Sequence, residues 1–194
     1  QTGEYSSQVA ATPVYQGPGW YVAVADSSGS ASNEGSKTSP MLNLSDAVSA
    51  SSTGDTIYIG AGTHQYTSAS NWNILFDGSK TLVIKGAGRD ATILDAQQKH
   101  RHFYFSANSN NSLLDTTFKI MDLTLKNGRP QTNDNGGSVS MHGYHVTNYG
   151  YKGHSPLFQN VLFQSNQPKF STNDYGKNGG AVYASRSNPS FRDV

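Results

Sequence analysis

The chain of 194 residues has no cysteine, which excludes a disulfide framework and any thiolate metal site. Charge is scarce as well. Asp, Glu, Lys and Arg make up 14% of the residues, and 14 basic against 13 acidic side chains leave a formal net charge of +1. A balance this close to neutral argues against nucleic acid or an acidic membrane surface as a partner. No apolar run approaches the roughly 20 residues that span a bilayer. Nor does a basic segment followed by an apolar stretch open the chain, as a signal peptide would. No helical pattern of roughly 10–15 residues separates one strand pattern from the next, which argues against a doubly wound sheet.

Familiar catalytic motifs are missing too: there is no acyl-transfer elbow, zinc motif or phosphate loop. Gly86-Ala87-Gly88-Arg89-Asp90-Ala91 follows a strand pattern and superficially fits a dinucleotide fingerprint. That fingerprint needs a helix next, whose N-terminus holds the pyrophosphate. Thr92-Ile93-Leu94-Asp95 continues instead as a strand, so the segment reads as a turn.

What the chain does have is a recurring phrase. Leu157-Phe158-Gln159-Asn160-Val161-Leu162-Phe163-Gln164-Ser165-Asn166 is followed by Gly179-Gly180-Ala181-Val182-Tyr183. A looser copy runs from Phe118 to Asn127 and is followed by Gly136-Gly137-Ser138-Val139-Ser140, and a third begins at Pro189. Asp122 and Asn160 lie 38 residues apart, and Asn160 and Asp193 lie 33 apart. A strand, an Asn turn and a Gly-Gly strand recurring at this spacing predict a solenoid, because one such unit cannot bury its own apolar face. Asn127 and Asn166 are the candidates for stacked turn amides, and Val161 and Phe163 should lie on Leu123 and Leu125. Gly136, Gly137, Gly179 and Gly180 allow turns that a Cβ would obstruct. The variable stretches 129–135, 142–155 and 167–178 read as inserted loops, where specificity concentrates.

Alternation at Ile57/Ile59, Leu82/Ile84, Phe103/Phe105 and Leu123/Leu125 predicts strands with one face inward. A short amphipathic helix is expected within 42–52, from Leu42, Leu44, Ala47, Val48 and Ala50, with Gly54 beyond its end. The fold expected is all-β: a right-handed parallel β-helix (solenoid) with a short N-terminal capping helix. Residues 1–19 would be an arm and 20–194 the solenoid. The chain opens at Gln1 without Met and stops in a strand pattern at Phe191-Arg192-Asp193-Val194. It is therefore expected to be the N-terminal portion of a longer protein, with the remainder of its own chain as a partner.

Residues 44–95 carry Leu-Ser-Asp-Ala-Val, Gly-Asp-Thr-Ile-Tyr-Ile-Gly-Ala-Gly-Thr-His, Leu-Val-Ile-Lys-Gly-Ala-Gly and Ala-Thr-Ile-Leu-Asp in order. This segment resembles the opening of right-handed β-helix proteins of the pectate-lyase-like superfamily. Phe163-x-x-Asn166 followed by Gly179-Gly180-Ala181-Val182 is similar to repeats of the polymorphic outer-membrane-protein type, found in large bacterial surface proteins. The resemblance implies a secreted, cell-surface protein. It leaves activity open, because the superfamily holds lyases, hydrolases and adhesins.

Lys99-His100-Arg101-His102 is the densest titratable run and has the residue types of a lyase base and its cationic partner. Asn133-Asp134-Asn135 is oxygen-rich and is where Ca²⁺ would sit, although one carboxylate is few for that ion. No cofactor is otherwise expected. His142, His145 and His154 lie in one insertion without supporting carboxylates. Tyr144, Tyr149 and Tyr151, with Lys152, are the candidates for stacking on a sugar or anchoring a protein. Asp77, Asp95, Asp115 and Asp122 supply carboxylates for a glycosidase pair, whose separation a sequence does not give. The reading favoured is an adhesin-like binding module for a glycan or surface protein, with a polysaccharide lyase or glycoside hydrolase of the same fold as the alternative.

Overall fold

The computed structural model describes residues 14–66, 68–108, 113–131, 134–146, 150–169 and 179–194. The expected arm therefore lies largely outside the described residues, as do Asn133 and Tyr149. Within them, Tyr15 meets Trp20 edge-on at 5.2 Å, and its hydroxyl donates to the Gly19 carbonyl.

The chain opens with β1 (Gly19–Val22), then α1 (Leu44–Ala50), β2 (Thr56–Ile59) and β3 (Gly62–His64). After a 3₁₀ turn at Ala69–Asn71 come β4 (Ile74–Phe76), β5 (Val83–Gly86), β6 (Thr92–Asp95), β7 (Phe103–Ser106) and β8 (Lys119–Lys126). β9 (Val139–His142), β10 (Tyr144–Val146), β11 (Gly150–Lys152), β12 (Leu157–Gln164), β13 (Val182–Ser185) and β14 (Ser190–Arg192) follow. Strand thus dominates the described residues and the class is all-β.

Two parallel sheets carry the structure. The first has the order β1-β2-β5-β8-β12-β14, with β3 and β6 pairing alongside it onto β8. The second has the order β4-β7-β9-β13. From β4 onward the chain passes between the two sheets, and each return lays a new strand beside the last one. Parallel register turns this into continuous rows of side chains. Trp20, Ile57, Ile84, Ile120, Phe158 and Phe191 are successive partners across the first sheet. All but the last are buried, and Phe191, on the edge strand β14, is 45% exposed. Burying each such side chain is worth about 2–3 kcal/mol, so register here is fixed by the apolar face. The second sheet faces the same core with Phe103, Phe105, Val139 and Met141. As anticipated, Val161 pairs Leu123 and Phe163 pairs Leu125.

The 38-residue spacing has a backbone cause. Asp122 (φ 59°) and Asn160 (φ 52°) sit in left-handed conformation midway along β8 and β12, and Asp193 (φ 53°) follows β14. Asp and Asn tolerate that region better than other residues with a Cβ. Each bends its strand, so one half of β8 pairs β5 and the other pairs β6. Asn160 Nδ2 donates to Asp122 Oδ1 at 2.9 Å, joining the bends of adjacent strands.

Of the two candidates for turn amides that bond to a neighbouring coil, Asn166 reaches backbone groups and Asn127 reaches a carboxylate. Asn127 Nδ2 donates to Asp95 Oδ1 at 2.8 Å. Asn166 accepts from Gly128 N at 2.6 Å and donates to the Leu125 carbonyl at 2.9 Å. Each ties its turn to the one before it, and Asn166 satisfies backbone groups that the turn would leave unpaired.

At the start of the chain, α1 buries Leu44 and Ala47 beside β1 and β2. Asp46 lies in its first turn, where the helix dipole favours an anion. Lys80 Nζ donates to the Val48 and Ser49 carbonyls at its other end, both at 2.9 Å. The Ser/Gly-rich stretch after β1 covers that strand's outer edge through Tyr21 N to Gly35 O at 2.8 Å and Met41 N to Tyr21 O at 2.8 Å. Insertion 142–155 departs from the loop expected: β10 and β11 pair antiparallel within it as a hairpin.

Candidate functional site

Alternation along the second sheet sends Phe103 and Phe105 inward and Tyr104 outward, and the same parity applies on the neighbouring strands. Leu75, Tyr104, Ser140 and Tyr183 are therefore successive register partners on the outer face. The small Ser140 leaves space that His142 fills. The Tyr104 and His142 rings lie 5.4 Å apart, and the His142 and Tyr183 rings 5.6 Å apart. Three rings from three strands make one continuous row, and all three are half-buried. Ser140 Oγ lies 2.9 Å from His142 Nε2. Ser140 is fully buried, so its hydroxyl orients the ring and does not meet a ligand. Burial lowers the His142 pKa below the usual histidine value, with Arg101 pushing the same way and Asp134 opposing. The ring is neutral at pH 7 and stacks as an uncharged plate.

Beside the row is a cleft of about 400 Å³ lined by Trp72, Asn73, His100, Arg101, Tyr104 and Asp134, among others. Arg101 is buried. Its Nε donates to the Gly136 carbonyl at 3.0 Å, and one Nη donates to Asp134 Oδ2 at 2.8 Å and to the Asn135 carbonyl at 2.7 Å. Its guanidinium lies 5.7 Å from the centre of the Tyr104 ring. Burial pulls the Asp134 pKa up, but the bonds from Arg101 and Asn135 N outweigh it and the carboxyl ends below its usual value. Burial, with Lys99 adding, lowers the His100 pKa, so a neutral imidazole lines the cleft.

The run 99–102 is thus divided by the fold. Lys99 is exposed and donates to Gln97 Oε1 at 3.1 Å. His102 lies in the core behind the cleft, where Nε2 donates to the Leu94 carbonyl at 2.8 Å and Nδ1 meets Ser138 Oγ at 3.0 Å. Burial pushes its pKa down to about 4. The cleft therefore brings together a neutral imidazole, a neutralised guanidinium, amide groups and aromatic faces. That set suits hydrogen bonding and stacking with a hydroxyl-rich ligand.

No family model, curated protein or solved structure matches the chain.

Of the residues expected to bind ligand from the sequence, Tyr144, Tyr151 and Lys152 lie on the hairpin strands, and Tyr149 lies outside the described residues. Tyr144 pairs Lys152 in register, and His145 pairs Tyr151. Tyr151 is 62% exposed, and Arg186 stacks on its ring at 4.5 Å. His154 is buried, with Nδ1 accepting from Leu114 N at 2.9 Å, so His142, His145 and His154 do not converge on one point. Among the described residues, no group of three His, Asp or Glu side chains is arranged to hold a metal. Asp134 spends its carboxylate on Arg101, which opposes a cation at the site foreseen for Ca²⁺. The carboxylates named for a glycosidase pair each have local partners: Asp95 with Asn127 and Gln65, Asp115 with Thr117, Asp122 with Asn160, and Asp77 with Ser79 N.

Tyr104, His142 and Tyr183 were not singled out as a site by the sequence reading. The available signal was parity: Phe-Tyr-Phe and Gly-Gly-Ala-Val-Tyr each place one aromatic ring opposite the core.

Proposed function

We propose that the chain is a section of right-handed parallel β-helix, with α1 as its N-terminal cap. In this reading it acts at the cell surface as a glycan-binding module. Support for the architecture comes from the alternation of the chain between two parallel sheets. It also comes from the register rows and from the left-handed bends at Asp122 and Asn160. The hairpin β10–β11 and the cleft at Trp72 give the flank relief on which a partner is recognised.

One observation carries the functional reading: the aromatic row Tyr104–His142–Tyr183 on the outer face of the second sheet. Inside the protein, rings pack to fill the core. A row on the outer face gains full burial only when a flat, partly apolar partner covers it, and the C–H faces of a pyranose are such a surface. Parallel strands lie about 4.8 Å apart, so the row runs across them as a track and favours an extended chain of sugars. A polar cleft beside the track supplies the few directional contacts that fix orientation.

The test is calorimetric titration with a panel of linear oligosaccharides. Wild type should bind one class, and Tyr104→Ala and Tyr183→Ala should each weaken that binding about tenfold, a loss of about 1.4 kcal/mol per ring. Thermal midpoints should change little, since both side chains are half-buried and outside the core. Retained affinity in both folded variants would move the site elsewhere.

A further inference from the structure

A second cleft of about 400 Å³ adjoins the first and shares Pro130 and Gln131 with it. Its walls carry Gln98, Lys99, Arg129 and Lys169. These residues come from three successive turns stacked by backbone bonds. Gln98 N donates to the Asn127 carbonyl at 2.7 Å, Arg129 N to the His100 carbonyl at 2.8 Å, and Gln167 N to the Gly128 carbonyl at 2.9 Å. Gln167 Nε2 also donates to Gln98 Oε1 at 2.8 Å, across the whole stack.

Each of the three turns thus contributes one cation, in a chain whose net charge is only +1. Like charges on adjacent rungs repel, and sequences usually alternate them with acids or amides. Among the described residues that line this cleft, none is a carboxylate. The ion pairs among the described residues are Lys85–Asp122 and Arg101–Asp134, so Lys99, Arg129 and Lys169 have no acidic partner there. Lys169 Nζ donates to the Gln131 carbonyl and Lys99 Nζ to Gln97 Oε1, contacts that orient an ammonium without neutralising it. Among the described residues, Arg129 Nε is buried without a hydrogen-bond partner. A structure that stacks three cations and leaves a guanidinium donor unpaired gains when an anion arrives.

We propose that this basic column is an anion subsite of the same binding surface, and that the ligand is a linear glycan bearing sulfate-ester or carboxylate groups. The inference rests on the glycan reading of the aromatic row and names the class of sugar. Rings of the glycan lie on Tyr104 and Tyr183 while its anionic substituents reach Lys99, Arg129 and Lys169 through the junction at Pro130 and Gln131. Both kinds of substituent present oxygens to the same ammonium and guanidinium donors.

The experiment titrates the protein with three linear oligosaccharides of equal length, one sulfated, one built of uronic acids and one neutral. At about 50 mM NaCl at least one anionic form should bind about tenfold or more tightly than the neutral one, and the advantage should vanish near about 500 mM. The Lys99→Gln/Lys169→Gln double variant should lose that advantage and keep the neutral affinity, while Lys37→Gln, an exposed lysine away from the column, should behave as wild type. Preference for the sulfated arm assigns sulfate esters, and preference for the uronic acid arm assigns carboxylates. Equal affinity for neutral and anionic forms would overturn the column and leave the glycan reading standing. Failure of all three oligosaccharides to bind would overturn both. Tight binding of a single-stranded oligonucleotide instead would overturn the assignment to a glycan.

Discussion

Burial of His102 between Trp72, edge-on at 5.3 Å, and Phe103 commits a titratable ring to its neutral form. Leu94 O can only accept, so Nε2 carries the proton and Nδ1 accepts from Ser138. The pKa is near 4 in the folded chain and about 6.5 when unfolded. Between these values the unfolded chain binds more protons. Stability from this residue is therefore complete above about pH 6.5 and is lost as pH falls toward 4, by about 3 kcal/mol in all. Burial also lowers the His64 and His154 pKa values, in the same direction. Urea midpoints measured across this range should fall steeply for wild type and less steeply for His102→Gln, whose amide can still donate to Leu94. Equal slopes would contradict a neutral buried His102. None of this was legible in Lys99-His100-Arg101-His102, where four adjacent titratable residues look like a cluster. The turn that leads into β7 sends them to solvent, cleft and core in succession.

At the scale of elements, strand parity and the repeated phrase were the readable signals. They located the pairing of Val161 and Phe163 on Leu123 and Leu125 because one inward face is apolar throughout. They missed the hairpin β10–β11, whose Tyr and His residues carry no clean alternation and whose pairing is antiparallel in an otherwise parallel arrangement. The Gly-Gly pairs were read as sharp turns, and the members of a pair turn out to differ in role. Gly136 has a φ of +68°. Gly137 has ordinary φ but no room, since a Cβ there would lie 2.3 Å from Gly180 O and 2.4 Å from Gln167 N. Backbone atoms cannot rotate aside, so Gly137→Ala must push the neighbouring turns away from one another. It should cost about 2 kcal/mol or more in chemical denaturation. A loss below about 0.5 kcal/mol, typical of an exposed substitution, would contradict this packing.

For the whole molecule, the strand rows were legible because their spacing repeats along the chain, whereas the proposed binding surface was not. Tyr104, His142 and Tyr183 meet only because β7, β9 and β13 lie side by side. The basic column likewise joins Lys99, Arg129 and Lys169 through turns far apart in sequence. Neither leaves a local motif, and both follow once register is known. The outer face of the first sheet offers a rival surface, with Tyr21 and Tyr58 stacked at 5.1 Å beside a cleft of about 270 Å³. Backbone amide chemical shifts followed while a bound oligosaccharide is titrated in separate the two faces directly. The account predicts that the largest changes fall at Tyr104, Ser140, His142 and Tyr183, spreading toward His100 and Gln131. Changes centred on Tyr21, Tyr58 and Lys85, with the second sheet silent, would contradict it.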